Sequence, residues 1–276
     1  MRLLSSPKSL TIITICLITE CILIGYIGVW REWFWDSVSN HQLYVFSYLL
    51  TIFAGVALLA CFVSSYSQFL ITIVATRMRS LLSEKALVMN SIHTEGFEQR
   101  LQEDCFVYPQ LTLGLIFGGI RQVIITVVYA IIIIYQLGWV YLLFPIVYTL
   151  SSTIVTAYIA KPLIYLNYVV QVFEAKLRKC ISPINLSSAS RRQIQFARAT
   201  KKLSYFQVFY GQITVLVPYL ILAPVYFSMK ITFGVLMQAA SAIGEMITGL
   251  SYFINSFNDI NKWLSCRKRL KEIGVL

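Results

Sequence analysis

Charge is what this sequence has least of. Asp, Glu, Lys and Arg make up 13% of its 276 residues, against about 25% in ordinary globular chains. Acids are the scarcer sign, 12 against 23 Lys and Arg, and there are two histidines, His41 and His93. So little charge excludes intrinsic disorder and a coiled coil. The cysteines Cys16, Cys21, Cys61, Cys105, Cys180 and Cys266 show no C-x-x-C spacing and fall in apolar stretches or basic loops. They read as reduced, structural thiols, not as a disulfide scaffold or a metal site. The sequence has no G-x-x-x-x-G-K-[ST] loop to cradle a nucleotide phosphate, no H-E-x-x-H and no G-x-S-x-G. Those absences remove ATP hydrolysis, zinc proteolysis and serine hydrolysis in turn. The expectation is a non-enzyme without metal or organic cofactor. His41 and His93 stand alone in sequence and read as interfacial polar residues.

What the sequence has is apolar length. Apolar residues are 58% and mean hydropathy is +0.71, against about 45–50% apolar in soluble domains. This is the composition of a polytopic membrane protein, with nearly the whole chain needed for its spans and no room expected for a soluble ATPase. Arg2 and Lys8 precede an apolar stretch from Leu10 to Trp30, which is long enough at ~20 residues to cross a bilayer. It ends in Trp30-Arg31-Glu32-Trp33-Phe34-Trp35-Asp36 without a small-residue cleavage site. That predicts an uncleaved first helix with an aromatic anchor at the far interface.

Six segments meet the length criterion: 10–30, 44–75, 111–136, 139–160, 205–229 and 233–264. The third and fourth are joined by Leu137-Gly138 and the fifth and sixth by Lys230-Ile231-Thr232. Two tight hairpins therefore share one side, and the long connections 76–110 and 161–204 share the other. Lys and Arg separate the sides. Two lie in the N-terminal segment, four in the first long connection, nine in the second and five from Lys262 onward. The hairpin side has Arg31 and Lys230, and Arg121 lies within a span. This asymmetry predicts cytoplasmic termini and cytoplasmic long connections, and explains the basic excess without nucleic acid. Residues 76–85 keep helical periodicity, so helices are expected to extend past the bilayer as stalks.

Carboxylates at membrane depth are the sharpest chemical signal. Glu20 and Glu245 fall near mid-bilayer, where inserting a carboxylate costs ~2.5–3.5 kcal/mol on translocon scales. Asp259 falls near the inner boundary. Such residues mark proton or substrate pathways; the plainer reading is a protonated carboxyl bonded to a neighbouring helix. Arg121 is either their partner or a side chain that snorkels to the inner interface, the latter being favoured by its depth. Pro218 and Pro224 in the fifth span, and Pro145 in the fourth, are hinge candidates: proline frees backbone carbonyls, and transporters use broken helices near binding sites. Gly114 and Gly118 read as a small-xxx-small packing face. Between Glu95 and Asp104 stand Glu95, Glu98, Glu103 and Asp104, a solvated stalk or a surface that pairs electrostatically with Gln171–Arg178.

The stretch Gly96–Asp104, containing Gln99-Arg100-x-Gln102-Glu103-Asp104, resembles the SbmA/BacA-like peptide transporters. So do Trp30 with Phe34-Trp35-Asp36, Glu174-Ala175 with Arg178, and residues 234–270 with Phe253-Ile254-Asn255-Ser256 and Arg267-Lys268-Arg269-Leu270. The resemblance covers nearly the whole chain, although the Q-R-x-x-E-D pattern also occurs in membrane halves of ABC exporters. It implies a six-span, all-α, ABC-exporter-like transmembrane domain without a nucleotide-binding domain. It also implies an inner-membrane homodimer importing peptides, including peptide antibiotics, on the proton gradient. Glu245, Glu20 and Asp259 would then couple protons, and Glu95, Gln99, Arg100, Glu103, Asp104, Glu174 and Arg178 would form a cytoplasmic stalk network. Two departures are expected to matter: the extra N-terminal membrane segment of longer members is missing, and Leu111–Ile116 is apolar where those members carry a glutamate. Two other readings stay open: the membrane half of an ABC transporter with a separately encoded ATPase, and a non-transporting assembly or receptor subunit.

Overall fold

The computed structural model describes residues 7–88, 100–159, 186–272 and 274–275. Among these the regular structure is helical throughout. Helix α1 spans Pro7–Ser39 and α2 Leu43–Val88. A π-helical turn at Arg100–Asp104 leads into α3, Cys105–Leu137. Helix α4 covers Trp139–Ile159 and opens with a 3-10 turn at Trp139–Leu142. Helix α5 spans Leu186–Phe227 and α6 Phe233–Leu250; a single turn at Tyr252–Asn255 precedes α7, Phe257–Glu272. Six of these helices are long and apolar enough to cross a membrane. The chain is an all-α, multi-pass membrane protein.

The links α1–α2, α3–α4 and α5–α6 are tight and lie at one end of the bundle, called here the turn end. Gly138 takes φ 95° between α3 and α4, and its N–H returns to the Ile134 carbonyl at 3.0 Å. A side chain would be strained there, so glycine permits the reversal. His41 (φ 56°) and Met229 (φ 56°) occupy the left-handed region in the other two turns. The opposite end, the stalk end, carries the ends of the helices that run beyond a bilayer's thickness. Helix α2 alone, at 46 residues, is ~69 Å long at ~1.5 Å per residue.

Helix α6 is the centre of the bundle, touching α1, α3 and α5. Its buried face is small: Gly234, Ala239, Ala240 and Ala242 beside Leu236, Ile243, Met246 and Ile247. Apolar lipid offers little drive for helix association, so close packing through small residues must supply it. A Cβ on Gly234 would meet the backbone carbonyl of Glu32, and one on Gly249 would meet the Thr126 hydroxyl. The main core joins α6 to Leu17 and Cys21 of α1, Ile125, Tyr129, Ile132 and Ile133 of α3, and Leu222 of α5. By contrast α2, α4 and α5 leave many large apolar side chains exposed, among them Phe62, Ile154 and Leu216. Lipid or another copy can cover such surfaces, because every backbone group inside a helix is already bonded.

Three expectations change. The sixth segment does not run straight to Leu264; it bends at Ser251 and again at Ser256. The bonding continues through both, with Ser251 N to Ile247 O at 3.0 Å, Asn255 N to Ser251 O at 3.0 Å and Ile260 N to Ser256 O at 2.9 Å, so α6 and α7 are limbs of one bent rod. Helix α5 passes unbroken through Pro218 and Pro224, so no broken helix forms at these hinge candidates. Of the proposed packing glycines, Gly118 faces the Tyr252 ring whereas Gly114 has open space around it.

Candidate functional site: a polar seam along α1, α3 and α6

Polar groups in this bundle gather along the seam where α1, α3 and α6 meet, in three separate places. At the turn end Trp30 seats α1. Its Nε1 donates to the Leu49 carbonyl at 3.0 Å, and its ring stacks at 4.7 Å on both Phe34 and Phe53. Trp35 meets Phe233 edge-on at 5.9 Å. The aromatic run in the last turns of α1 thus binds it to α2 and α6. Asp36, the next residue, holds the start of α6: its carboxylate accepts from Gly234 N at 2.7 Å and from the Thr232 hydroxyl at 2.9 Å. A carboxylate is favoured there by the exposed N–H groups and the positive end of the helix dipole. Beside it, Gln136 of α3 donates through Nε2 to Glu32 Oε2 at 2.8 Å and also contacts Gln238 Oε1. Gln238 is buried, at 3% exposure.

Deeper in the seam, Glu20 of α1 is buried and accepts from Arg121 Nε at 3.1 Å. The structure therefore corrects the snorkelling expectation for Arg121: its guanidinium lies against Glu20, which pairs a carboxylate that would otherwise be costly at this depth. Glu245 projects from the exposed side of α6, within electrostatic range of the buried Tyr129 of α3. Asp259 is exposed in the first turn of α7. The carboxylates expected to couple protons are thus not gathered into one cluster. Glu20 is occupied by Arg121, Glu245 faces the open side, and Asp259 lies beyond the bend.

At the stalk end Asp104 is the organising group. Its side chain is 3% exposed and accepts two bonds from Arg269 of α7, Nε to Oδ2 at 2.7 Å and Nη2 to Oδ1 at 2.6 Å. This is a bidentate guanidinium–carboxylate pair. Bonding to Asp104 pushes the Arg269 pKa up, and burial, then Asp104, pushes the Cys266 thiol up, so it stays protonated. Around the pair, Lys85 Nζ donates to the Val275 carbonyl at 2.7 Å, and Trp263 Nε1 donates to Thr112 Oγ1 at 2.8 Å while stacking on Tyr108. Leu82, Ala86, Cys105, Leu270 and Val275 form a buried cluster beneath. The acidic stretch reads from sequence as a solvated stalk or as a surface that pairs with Gln171–Arg178. Residues 171–178 lie outside the described residues; the described partner of Asp104 is Arg269, which reaches it where the π-helical turn at Arg100–Asp104 and α3 pack against α7. Of the other stalk residues, Glu103 is exposed in that turn. Glu95, Gln99, Glu174, Arg178 and the side chain of Arg100 lie outside the described residues, as does His93.

Comparison with known proteins now identifies the chain. A sequence model of the SbmA/BacA-like family matches residues 26–275. The chain belongs to the SbmA/BacA-like family. Among curated relatives it is 26% identical over 207 residues to an uncharacterized ABC transporter ATP-binding protein of Synechocystis, covering 66% of this chain and 31% of that protein. It is 24% identical over 153 residues to the chloroplastic ABC transporter D family member 2 of Arabidopsis thaliana, covering 48% and 22%. It is 22% identical over 322 aligned positions to the inner membrane ABC transporter ATP-binding protein YddA of Escherichia coli, covering 96% and 57%. The chain thus spans between about a fifth and three fifths of the length of these relatives.

Glu32, Gln136 and Gln238 were not singled out from sequence, although a signal was present. Gln122, Tyr129 and Gln136 recur every seven residues in α3, as Gln238 and Glu245 do in α6. That spacing places polar groups on one face of each helix. Among the described residues no group of three or more His, Cys, Asp or Glu is placed to hold a metal.

Proposed function

We propose that this chain is a secondary transporter that imports peptides, including peptide antibiotics, on the proton gradient. It acts as a homodimer in the bacterial inner membrane, with both termini in the cytoplasm. The observation that carries this reading is the family match over residues 26–275, joined to a bundle with carboxylates at membrane depth, Glu20 paired with Arg121 and Glu245 on the exposed side of α6. The Lys and Arg distribution supports the orientation, with the turn end outside. The exposed apolar faces of α4 and α5 are surface that a second copy can cover. In the dimer Glu245, on the open side of α6, faces a shared cavity. A proton falling through 100 mV releases about 2.3 kcal/mol, and neutralising a carboxylate lowers the cost of burying it as a cavity closes. Protons are then the coupling ion, and no catalysis of a covalent step is required.

Labelled peptide should enter proteoliposomes when a pH gradient is imposed without ATP, and a protonophore should abolish uptake. Cysteines placed at Val140 or Ile231 should label from outside intact cells, and one at Ser190 only after permeabilisation. The names of the curated relatives favour one other reading, the membrane half of an ABC transporter served by an ATPase on another chain or segment. Uptake that requires ATP and is blocked by vanadate would select it.

A further inference from the structure

The turn end of the seam holds a buried acceptor with nothing to accept from. Gln136 uses one half of its amide fully: Nε2 donates to Glu32 Oε2 at 2.8 Å and contacts Gln238 Oε1. The other half, Gln136 Oε1, is buried and has no hydrogen-bond partner. A buried acceptor left without a donor is costly and calls for an explanation. An ionised carboxylate offers acceptors alone, so an ionised Glu32 can meet the amide N–H but not the amide oxygen. A protonated carboxyl has one O–H to give. A planar acid beside a planar amide then closes a ring of two bonds, N–H to acid oxygen and O–H to amide oxygen. The structure shows the first bond made and the acceptor of the second standing empty.

We propose that Glu32 and Gln136 form a proton-binding site, in which a proton on Glu32 closes an acid–amide pair across α1 and α3, and Gln238 carries the change to α6. The proton comes from water at the turn end and adds to Glu32 Oε1. No heavy-atom bond breaks, the Nε2–H to Oε2 bond is kept, and the charge of the site goes from −1 to zero. Asp36, one turn along α1, is the charged group in range of Glu32. Helix α3 faces the site with Gln136 and, two turns below, Tyr129; α6 faces it with Gln238, while Glu245, two turns below, lies on the exposed side of α6; Arg31, next to Glu32 on α1, lies within electrostatic range of Tyr129. Helix α2 meets this end of α1 with Phe46, Leu49 and Phe53. The half-buried ionised form thus sits beside apolar groups, an amide pair and one like charge, with the Arg31 guanidinium next to it along α1. The proposal rests on the proton-driven reading and deepens it. It puts a loading site at the end that the basic residues assign to the outside, distinct from Glu245 and Glu20.

The full chain reconstituted in lipid vesicles allows a test by acid-minus-neutral difference infrared spectroscopy. Acidification should bring up a carboxylic-acid C=O band that is missing in Glu32→Gln. In Gln136→Leu the band should persist but move to the position of a more weakly bonded acid. An identical band in Glu32→Gln, or an unmoved one in Gln136→Leu, overturns the site; if Glu32→Gln does not fold, Gln136→Leu decides alone. In the same vesicles both variants should lose at least tenfold of the peptide uptake that an imposed pH gradient drives. Wild-type uptake that ignores the gradient would sink the proton-driven reading while the infrared bands still judge the site. Gradient-driven uptake that is unchanged in Glu32→Gln would remove Glu32 from the coupling.

Discussion

Arg269→Leu should detach α7 from the rest of the stalk end. The side chain of Asp104 is 3% exposed and its two bonds from Arg269 are 2.7 and 2.6 Å long. Removing one partner of a fully buried pair costs about 3–5 kcal/mol, because the other charge stays behind unpaired. The Arg269 side chain is 44% exposed, so water already screens its side of the pair. The expected loss is therefore about 2–3 kcal/mol. At ~2–4 °C per kcal/mol for a chain of this size, that is a fall in Tm of about 4–12 °C. Trp263 reports it directly, since it stacks on Tyr108 at 6.0 Å and donates to Thr112 across the same contact. Its fluorescence, followed on heating in detergent micelles, should change at a lower temperature in the variant.

The control is the double variant Asp104→Leu/Arg269→Leu. Replacing a buried pair by apolar residues of similar volume is near neutral, so the double variant should recover most of the lost stability. Asp104→Asn keeps one acceptor and should cost less than Arg269→Leu, about 1–2 kcal/mol. If both single variants stay within ~0.5 kcal/mol of wild type, or the cycle gives a coupling below about 0.5 kcal/mol, the pair is a surface contact and the argument fails.

Arg121→Leu should lower the yield of folded protein, because Glu20 is then left alone at membrane depth; combining it with Glu20→Gln should restore the yield, and a double variant no better than the single one would argue against the pair. Glu245→Gln should assemble normally yet lose peptide-dependent proton uptake, and wild-type uptake with unchanged pH dependence would make the carboxylate structural. Gly234→Ala should destabilise the turn end by about 1–3 kcal/mol as an overpacked contact. Its Cβ would meet the Glu32 carbonyl and the Asp36 carboxylate, and a melting curve unchanged from wild type would show that the backbone there gives way freely.

The membrane class and its six spans were legible because each rests on a quantity summed over many residues. The aromatic cluster of α1 was legible too, although what the structure shows is that it packs against α2 and α6. Trp30, Phe34 and Trp35 form a dense local cluster, and their natural place is an interface. Pairings across the chain were not legible in the same way. Glu20 and Arg121 lie 101 positions apart, and Asp104 and Arg269 lie 165 apart. Depth alone favoured snorkelling for Arg121, since depth counts residues along one helix and says nothing of which neighbour stands beside it. The stalk acids looked like a partner for Gln171–Arg178 because opposite charges there are close in pattern. What brings Asp104 to α7 is a π-helical turn, a backbone detail that composition does not carry.

The uncharged polar residues explain why the seam went unseen. A search for function in an apolar chain looks first at charges, and Gln136 and Gln238 have none. Yet an amide buried in a bundle must be satisfied as surely as an ion, and its two ends make opposite demands. Gln136 meets its donor demand on Glu32 and leaves its acceptor demand open, which is the opening that a proton on Glu32 would fill. Through Gln238 that dependence reaches α6, the helix in contact with α1, α3 and α5 together. Glu245 lies on the same helix two turns below, and the bent rod continues from there into α7 and its clasp on Asp104. A proton gained on Glu32 of α1 thus reaches α6 through Gln136 and Gln238, and Glu245 is carried by that same α6, whose small-residue face packs closely against α1 and α3.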